Sequence, residues 1–142
     1  MIKQISLFLE NKKGRLAYVC RVLANEKINI RALSIADTTN FGVLRLIVDN
    51  PERAYEVLQK NNFAVSLTDV LAMEVPDYPG GLAGALEKLD AAEINLEYMY
   101  AFMGKTSQGA LVIIRVENSH DAIPVIQEAG IKILDGDQVY SL

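Results

Sequence analysis

From Ile2 to Leu9 apolar and polar positions alternate, with Ile5, Leu7 and Leu9 on one side and Gln4, Ser6 and Phe8 on the other. A period of two predicts a strand with one face in a core. After the turn Glu10–Gly14 the spacing changes, and Leu16, Val19, Cys20 and Leu23 fall on one helical stripe. Cys20 lies inside that stripe and reads as a small core hydrophobe. Ile28–Asp37 and Val43–Val48 read as two further strands joined by the turn 38–42. Asn50-Pro51 then gives a helix cap followed by proline at the first helical position. Ala54, Val57 and Leu58 line that second helix, and Asn61-Asn62 ends it. The next apolar stretch, Phe63–Val75, closes the order strand, helix, strand, strand, helix, strand.

The second half repeats the order. The turn Tyr78-Pro79-Gly80-Gly81 precedes a helix stripe of Leu82, Ala85, Leu86 and Leu89. Strands are expected over Asn95–Met103 and Ala110–Val116, and a helix over Ser119–Ala129 whose first turns Pro124 should shorten or bend. Asp137–Leu142 is expected as the closing strand, after a turn at Asp135-Gly136-Asp137.

The two halves also match residue by residue. At an offset of 66, Gly14 meets Gly80, Leu16 meets Leu82, Leu23 meets Leu89, Ile28 meets Ile94 and Asn29 meets Asn95. At an offset of 68, Asn50 meets Asn118, Ala54 meets Ala122 and Val57 meets Val125. The expected fold is therefore α+β: two ferredoxin-like βαββαβ units in tandem, with antiparallel sheets and helices on one face. The first spans residues 1–70 and the second 71–142, with the stretch 63–75 shared and the halves inseparable. That stretch is expected either to bend at Thr68-Asp69, giving one arm to each unit, or to belong to an exchange of closing strands. The open sheet faces differ: Ala32, Ser34 and Ala36 in the first unit correspond to Tyr98, Tyr100 and Phe102 in the second. Helices should cover the other face through Leu33, Ile35 and Met99, whereas an aromatic face needs a cover of its own, in the chain or in a homodimer.

Composition narrows the function. Half the 142 residues are apolar and the net charge is −4, which speaks against a broad nucleic-acid surface. One cysteine excludes an internal disulfide, and one histidine leaves no zinc site or nucleophile pair. No apolar run reaches membrane-spanning length and the opening residues lack a signal peptide's apolar segment, so a cytoplasmic protein without a membrane role is expected. His120 at a helix start reads as a surface residue, and no cofactor or catalytic constellation is expected. Arg45 and Arg115 lie mid-strand, facing either a carboxylate or solvent.

What recurs is a glycine turn before the first helix of each half and an asparagine opening the next strand. Glycine admits close approach of a ligand to backbone N–H groups. The helix start behind it carries partial positive charge, suited to a carboxylate, and an asparagine amide can donate or accept. Both residue types are also ordinary turn formers, so on these residues alone a turn and a ligand site both stand.

The Gly-x-Leu at each first helix, with the triplets Ile28-Asn29-Ile30 and Ile94-Asn95-Leu96, resembles the ACT domain, in two copies over essentially the whole chain. The second copy has Pro79-Gly80 where the first has Lys13-Gly14. The resemblance implies a non-catalytic regulatory domain that senses amino acids, in enzymes such as aspartate kinase and phosphoglycerate dehydrogenase. It further implies a ligand at the interface between two domains, touching one helix-start turn and the partner's asparagine. Carried over, the expected ligand-binding residues are Asn11, Lys12, Lys13, Gly14, Arg15, Leu16, Asn29 and Ile30 in the first copy. In the second they are Asp77, Tyr78, Pro79, Gly80, Gly81, Leu82, Asn95 and Leu96. The expected partners are a free amino acid, a second copy of the chain and a regulated enzyme in trans. Lys12, Lys13 and Arg15 favour a carboxylate at the first turn and Asp77 an ammonium at the second, so unequal sites are expected. The rival expectation is a protein-protein interaction module without a ligand, meeting its partner through Tyr98, Tyr100 and Phe102; an RNA binder using the same aromatics stands behind both.

Overall fold

The computed structural model describes residues 1–37, 40–103 and 109–142. The chain divides into two compact units. The N-terminal unit comprises Lys3–Thr68 with Tyr140–Leu142; the C-terminal unit comprises Asp69–Val139 with Met1–Ile2.

In the N-terminal unit the elements are β1 (Ile2–Glu10), α1 (Arg15–Asn25), β2 (Ile30–Asp37), β3 (Phe41–Val48), α2 (Pro51–Lys60) and the first residues of β4 (Val65–Val75). β3 lies antiparallel between β2 and β1, with Leu33 opposite Leu46 and Leu7 opposite Leu44. On the other side of β1 the Phe8 N–H donates to the Ala64 carbonyl at 3.3 Å, and the Ser6 and Thr68 hydroxyls are 3.2 Å apart. Ile5, Leu7, Leu9, Leu44 and Leu46 project to the helix side and pack with Val19, Leu23, Ala54, Leu58 and Phe63. Each fully buried leucine there contributes about 2 kcal/mol by removal from water. The Asn50 side chain accepts the Arg53 N–H at 3.2 Å and Pro51 opens α2, so this helix start is closed by its own sequence.

The C-terminal unit takes β4 from Asp69 onward, then α3 (Gly81–Ala91), β5 (Leu96–Ala101), β6 (Ala110–Val116), α4 (Ser119–Glu128), β7 (Lys132–Leu134) and α5 (Gly136–Tyr140). β4 lies between β6 and β7, antiparallel to both, with Met73 opposite Val112 on one side and Ile133 on the other. β5 pairs on the far side of β6. Each unit thus has its opening strand in the middle and its helices on one face. Leu71, Met73, Ile114, Ala85, Leu89 and Ile126 form the second core. Val70, Ala72 and Ile113, which alternate with these, are equally inaccessible, so the reverse face of this sheet is covered too.

The repeat governs how helices end. Lys27, Asn62, Glu93 and Gly130, which follow α1 to α4, all have positive φ (59°, 66°, 58° and 83°). The next residue in each case, Ile28, Phe63, Ile94 or Ile131, donates its N–H five residues back into the helix, at 3.0 to 3.3 Å. This is the Schellman ending, with an apolar residue turned inward just past the helix.

Two expectations are corrected. The chain does not close on a strand over Asp137–Leu142; the closing strand is β7, and α5 follows it. Asp135 Oδ1 accepts the Gln138 N–H and Gln138 Oε1 accepts the Asp135 N–H, both at 2.9 Å. Asp-Gly-Asp-Gln is thus a reciprocal capping box that starts a helix rather than a plain turn. Val139 of that helix is fully buried, and the Tyr140 hydroxyl accepts the Lys3 N–H at 2.8 Å. Second, Ile35 is not covered by the helices: 46% of its surface is exposed. On the expected aromatic face Tyr100 is buried and stacks on Tyr98 with ring centres 6.5 Å apart, while Phe102 is half-buried.

Candidate functional site

The two glycine turns have the same conformation. Gly14 (φ 86°, ψ −8°) and Gly80 (φ 91°, ψ −8°) each cap a helix in left-handed backbone, and neither α1 nor α3 receives a side-chain cap. Nothing lies within 4 Å of a Cβ added at either glycine, so it is the backbone angle and not crowding that calls for glycine. The first N–H groups of a helix have no partner inside it. The Arg15 N–H donates to the Lys12 carbonyl at 3.3 Å and the Gly81 N–H to the Tyr78 carbonyl at 2.9 Å; the N–H groups that follow have no side-chain cap and carry the positive end of the helix dipole.

Around the first turn lies a cleft of about 100 Å³ whose walls include Asn11, Lys12, Arg15 and Leu16. Its floor comes from residues the sequence reading did not assign to the site: Leu9, Ile35, Asp37 and Gly42. Register explains them. Leu9 pairs with Gly42 and Gly42 pairs with Asp37, so the three form one row across β1, β3 and β2 at the end of the sheet where α1 begins. Ile35, two residues before Asp37, shares its face. A search for polar positions on the helix-facing side of a strand would have found Asp37.

The charges in this cleft are unequally engaged. Lys12 Nζ and Glu10 Oε2 pair at 2.8 Å, and that hydrogen bond holds the Glu10 carboxyl below its ordinary range. Both side chains of this pair are exposed, so solvent screens it. The Arg15 guanidinium instead lies over the Phe63 and Tyr18 rings, 5.2 and 5.9 Å from their centres, a cation–π arrangement. Its Nε is buried without an acceptor. Lys13 and Gly14 are exposed in the turn.

Asn29 and Ile30 do not join this group. They follow the C-terminal end of α1, whose eleven residues separate them from Gly14 by roughly 16 Å. The Asn29 main chain is held by Asp49, donating to its carboxylate at 3.0 Å and accepting its N–H at 3.1 Å. Ile30 packs against the core.

The second turn is built differently. Tyr78, Gly80 and Gly81 line a cavity of about 300 Å³ with Gly84, Lys88 and Gly130. The added cation is thus Lys88, unassigned from sequence, whereas Asp77, Pro79 and Leu82 are exposed and outside the lining. A Cβ on Gly81 would stand 2.0 Å from the Pro76 carbonyl oxygen, so no side chain fits where the first unit has Arg15. Asn95 again stands at the other end of its helix, in a cavity of about 540 Å³ with Glu93, Glu117, Asn118 and Asp121. Leu96 packs on the second core. Arg115 is engaged internally, by Glu97 at 3.5 Å and the Asp69 carbonyl. His120 is exposed.

Among the described residues no group of three or more His, Cys, Asp or Glu is placed to hold a metal ion, and no helix is long and apolar enough to cross a membrane.

Residues 1–142 match the family described as the ACT domain pair. No curated protein matches the chain. Among solved structures, protein BT0572 from Bacteroides thetaiotaomicron is 44% identical, with a TM-score of 0.91 over 99% of this chain and 96% of that one. The ligand-free regulatory subunit of aspartate kinase from Thermus thermophilus shares the fold at 18% identity and a TM-score of 0.63, covering 89% of this chain and 91% of that one. Escherichia coli aspartokinase III, in complex with lysine and aspartate, matches at 18% identity and a TM-score of 0.51, over 91% of this chain and 31% of that one.

Proposed function

The chain belongs to the ACT domain pair family, and from that premise we propose that it is a non-catalytic regulatory protein that binds a free amino acid and controls an enzyme in trans. The observation that carries this reading is the cleft at Gly14. It combines an uncapped helix start, the cation of Arg15, a carboxylate across the cleft at Asp37 and exposed aliphatic surface on Leu16 and Ile35. A zwitterion with a side chain needs those three kinds of contact.

The aspartate kinase relatives give the reading its direction, since one is a regulatory subunit and another carries amino acids. Because Gly14 and Asn29 stand a helix length apart, the asparagine proposed to complete the site comes from a second copy of the chain, with a homodimer as the working form. Asn29 and Asn95 remain the residues proposed for that role.

The test is thermal denaturation of the full chain with each of the twenty amino acids at millimolar concentration. Ligand at a hundred times its Kd stabilises the folded state by about 2.7 kcal/mol, equivalent to a rise in Tm of several degrees for a chain of this size. One amino acid, or one chemical group of them, is expected to give that rise. A flat response to all twenty would leave only the interaction-module reading.

A further inference from the structure

Among the described residues β2 pairs only with β3, so its outer edge is an open row of main-chain donors and acceptors. Eight residues is long for an open edge, and β2 holds no lysine, proline or glycine to guard it. What interrupts it is a bulge: the register steps from Ile30 to Ala32 and leaves Arg31 without an opposite residue on β3. From there exposure rises toward Ile35, Ala36 and Asp37. We infer that β2 pairs antiparallel with β2 of a second copy of the chain, Ser34 on the two-fold axis, so that two N-terminal units share one continuous sheet.

The register follows from symmetry and charge. Strands related by a two-fold axis meet reciprocally, residue i against j and j against i. Leu33 and Ile35 lie on the helix-facing side, and a one-residue slip would turn them to the opposite face of the shared sheet, so only every second register is open. Of these, the one centred on Ser34 alone sets Arg31 opposite Asp37 of the second copy, and does so twice. It also sets Leu33 opposite Ile35 and Ala32 opposite Ala36, so that Ile35, 46% exposed, gains an apolar neighbour. Opposite charges directly across a strand pair stabilise it. Among the described residues no ion pair engages either Arg31 or Asp37.

The other outer strand, β5, does not offer this match. At the offset of 66, Glu97 takes the place of Arg31 and Tyr100 that of Ser34. Pairing β2 with β5 of another copy in the corresponding register would set Asp37 against Glu97, two like charges. β5 contains no cation, and Glu97 is already met by Arg115 at 3.5 Å. Charge therefore favours β2 with β2 and opposes the mixed pair. Because Asp37 also lines the cleft at Gly14, the pairing would bring Arg31 of the second copy to that cleft. The homodimer named above thereby acquires a surface, and that surface requires no ligand.

Sedimentation velocity of the full chain without amino acid, over a concentration series, tests this. The wild type is expected as a dimer, twice 15.7 kDa. Arg31→Asp alone and Asp37→Arg alone each set like charges across the pair and should weaken the dimer about tenfold or more. The chain carrying both reverses every pair and should dimerise as the wild type does. Arg31 and Asp37 stand roughly 20 Å apart along the strand, so that rescue cannot arise within one chain. With the lone Cys20 changed to serine, Ser34→Cys should form a disulfide with its own copy on oxidation, since directly opposite Cα atoms lie about 4.5–5.5 Å apart. A monomeric wild type, a dimer indifferent to the single changes, or a double variant no tighter than the singles overturns the inference. So does a Ser34→Cys chain that stays uncrosslinked, even where a charge variant fails to fold. An amino acid that still stabilises such a chain would leave the sensor reading standing.

Discussion

Replacing Gly81 with alanine separates two reasons a glycine can be required. At Gly14 and Gly80 a methyl group would meet nothing within 4 Å, and only the positive φ resists it. An L-residue in that region costs about 1–2 kcal/mol, partly offset by the roughly 0.4–1 kcal/mol gained from a stiffer unfolded chain. Gly14→Ala and Gly80→Ala should therefore lose about 1 kcal/mol or less. At Gly81 the added methyl would lie 2.0 Å from the Pro76 carbonyl oxygen and 2.9 Å from its carbon, both backbone atoms. No rotamer can relieve that contact. The Pro76–Gly81 turn has to open, and overpacking of this kind costs about 3 kcal/mol or more when backbone must move. Urea denaturation of the three variants beside the wild type reads the difference, with the slope checked to be common to all. Gly81→Ala should unfold at clearly lower urea than the other two. If Gly81→Ala is as mild as Gly80→Ala, the turn is looser than its contacts imply, and so is the claim that no arginine fits there.

Other expectations follow from single contacts. Asn50→Ala removes the cap on α2 and should cost about 1 kcal/mol by chemical denaturation, whereas Asn118→Ala should cost less, because its amide bonds Asp121 and caps no backbone N–H. Gln138→Ala breaks the capping box of α5 and should lower Tm by a few degrees, with Tyr140 and Val139 losing their fixed approach. Lys27→Gly and Glu93→Gly relieve positive φ at two non-glycine helix endings and should leave stability unchanged or raise it by up to about 1 kcal/mol. The Glu10 carboxyl, held below its ordinary value of 4.5 by Lys12, is exposed and contributes little. Since its folded pKa is depressed, what it contributes is present above that ordinary value and is lost as pH falls through the lower folded one. Stability curves of the wild type and Lys12→Ala should therefore differ near neutral pH and converge in acid.

Much of the fold was legible because the repeat is written in residues that fix backbone. Gly14 and Gly80 share φ and ψ to within a few degrees, and Lys27 with Glu93, and Asn62 with Gly130, carry the same positive φ at the same offsets. Patterning gave the strands and helices their sides. What escaped the reading is what depends on register or on distant partners. Asp37 and Ile35 look like the end of a strand until β3 sets Gly42 beside them. Arg15 looks like one of three cations in a turn until Phe63, far along the chain, lies under it. Asp135–Gln138 looked like a turn because both halves of a capping box are themselves turn formers. The separation of Gly14 from Asn29 was readable, since a helix stripe intervenes between the two motifs.

The most direct test of the account is equilibrium dialysis of the wild type and an Arg15→Gln variant against an equal mixture of the twenty amino acids, followed by quantification on both sides. The account expects one amino acid, or one chemical group of them, enriched on the protein side, and a clearly smaller enrichment with the variant. Twenty equal concentrations across the membrane, or an enrichment indifferent to Arg15, would contradict it.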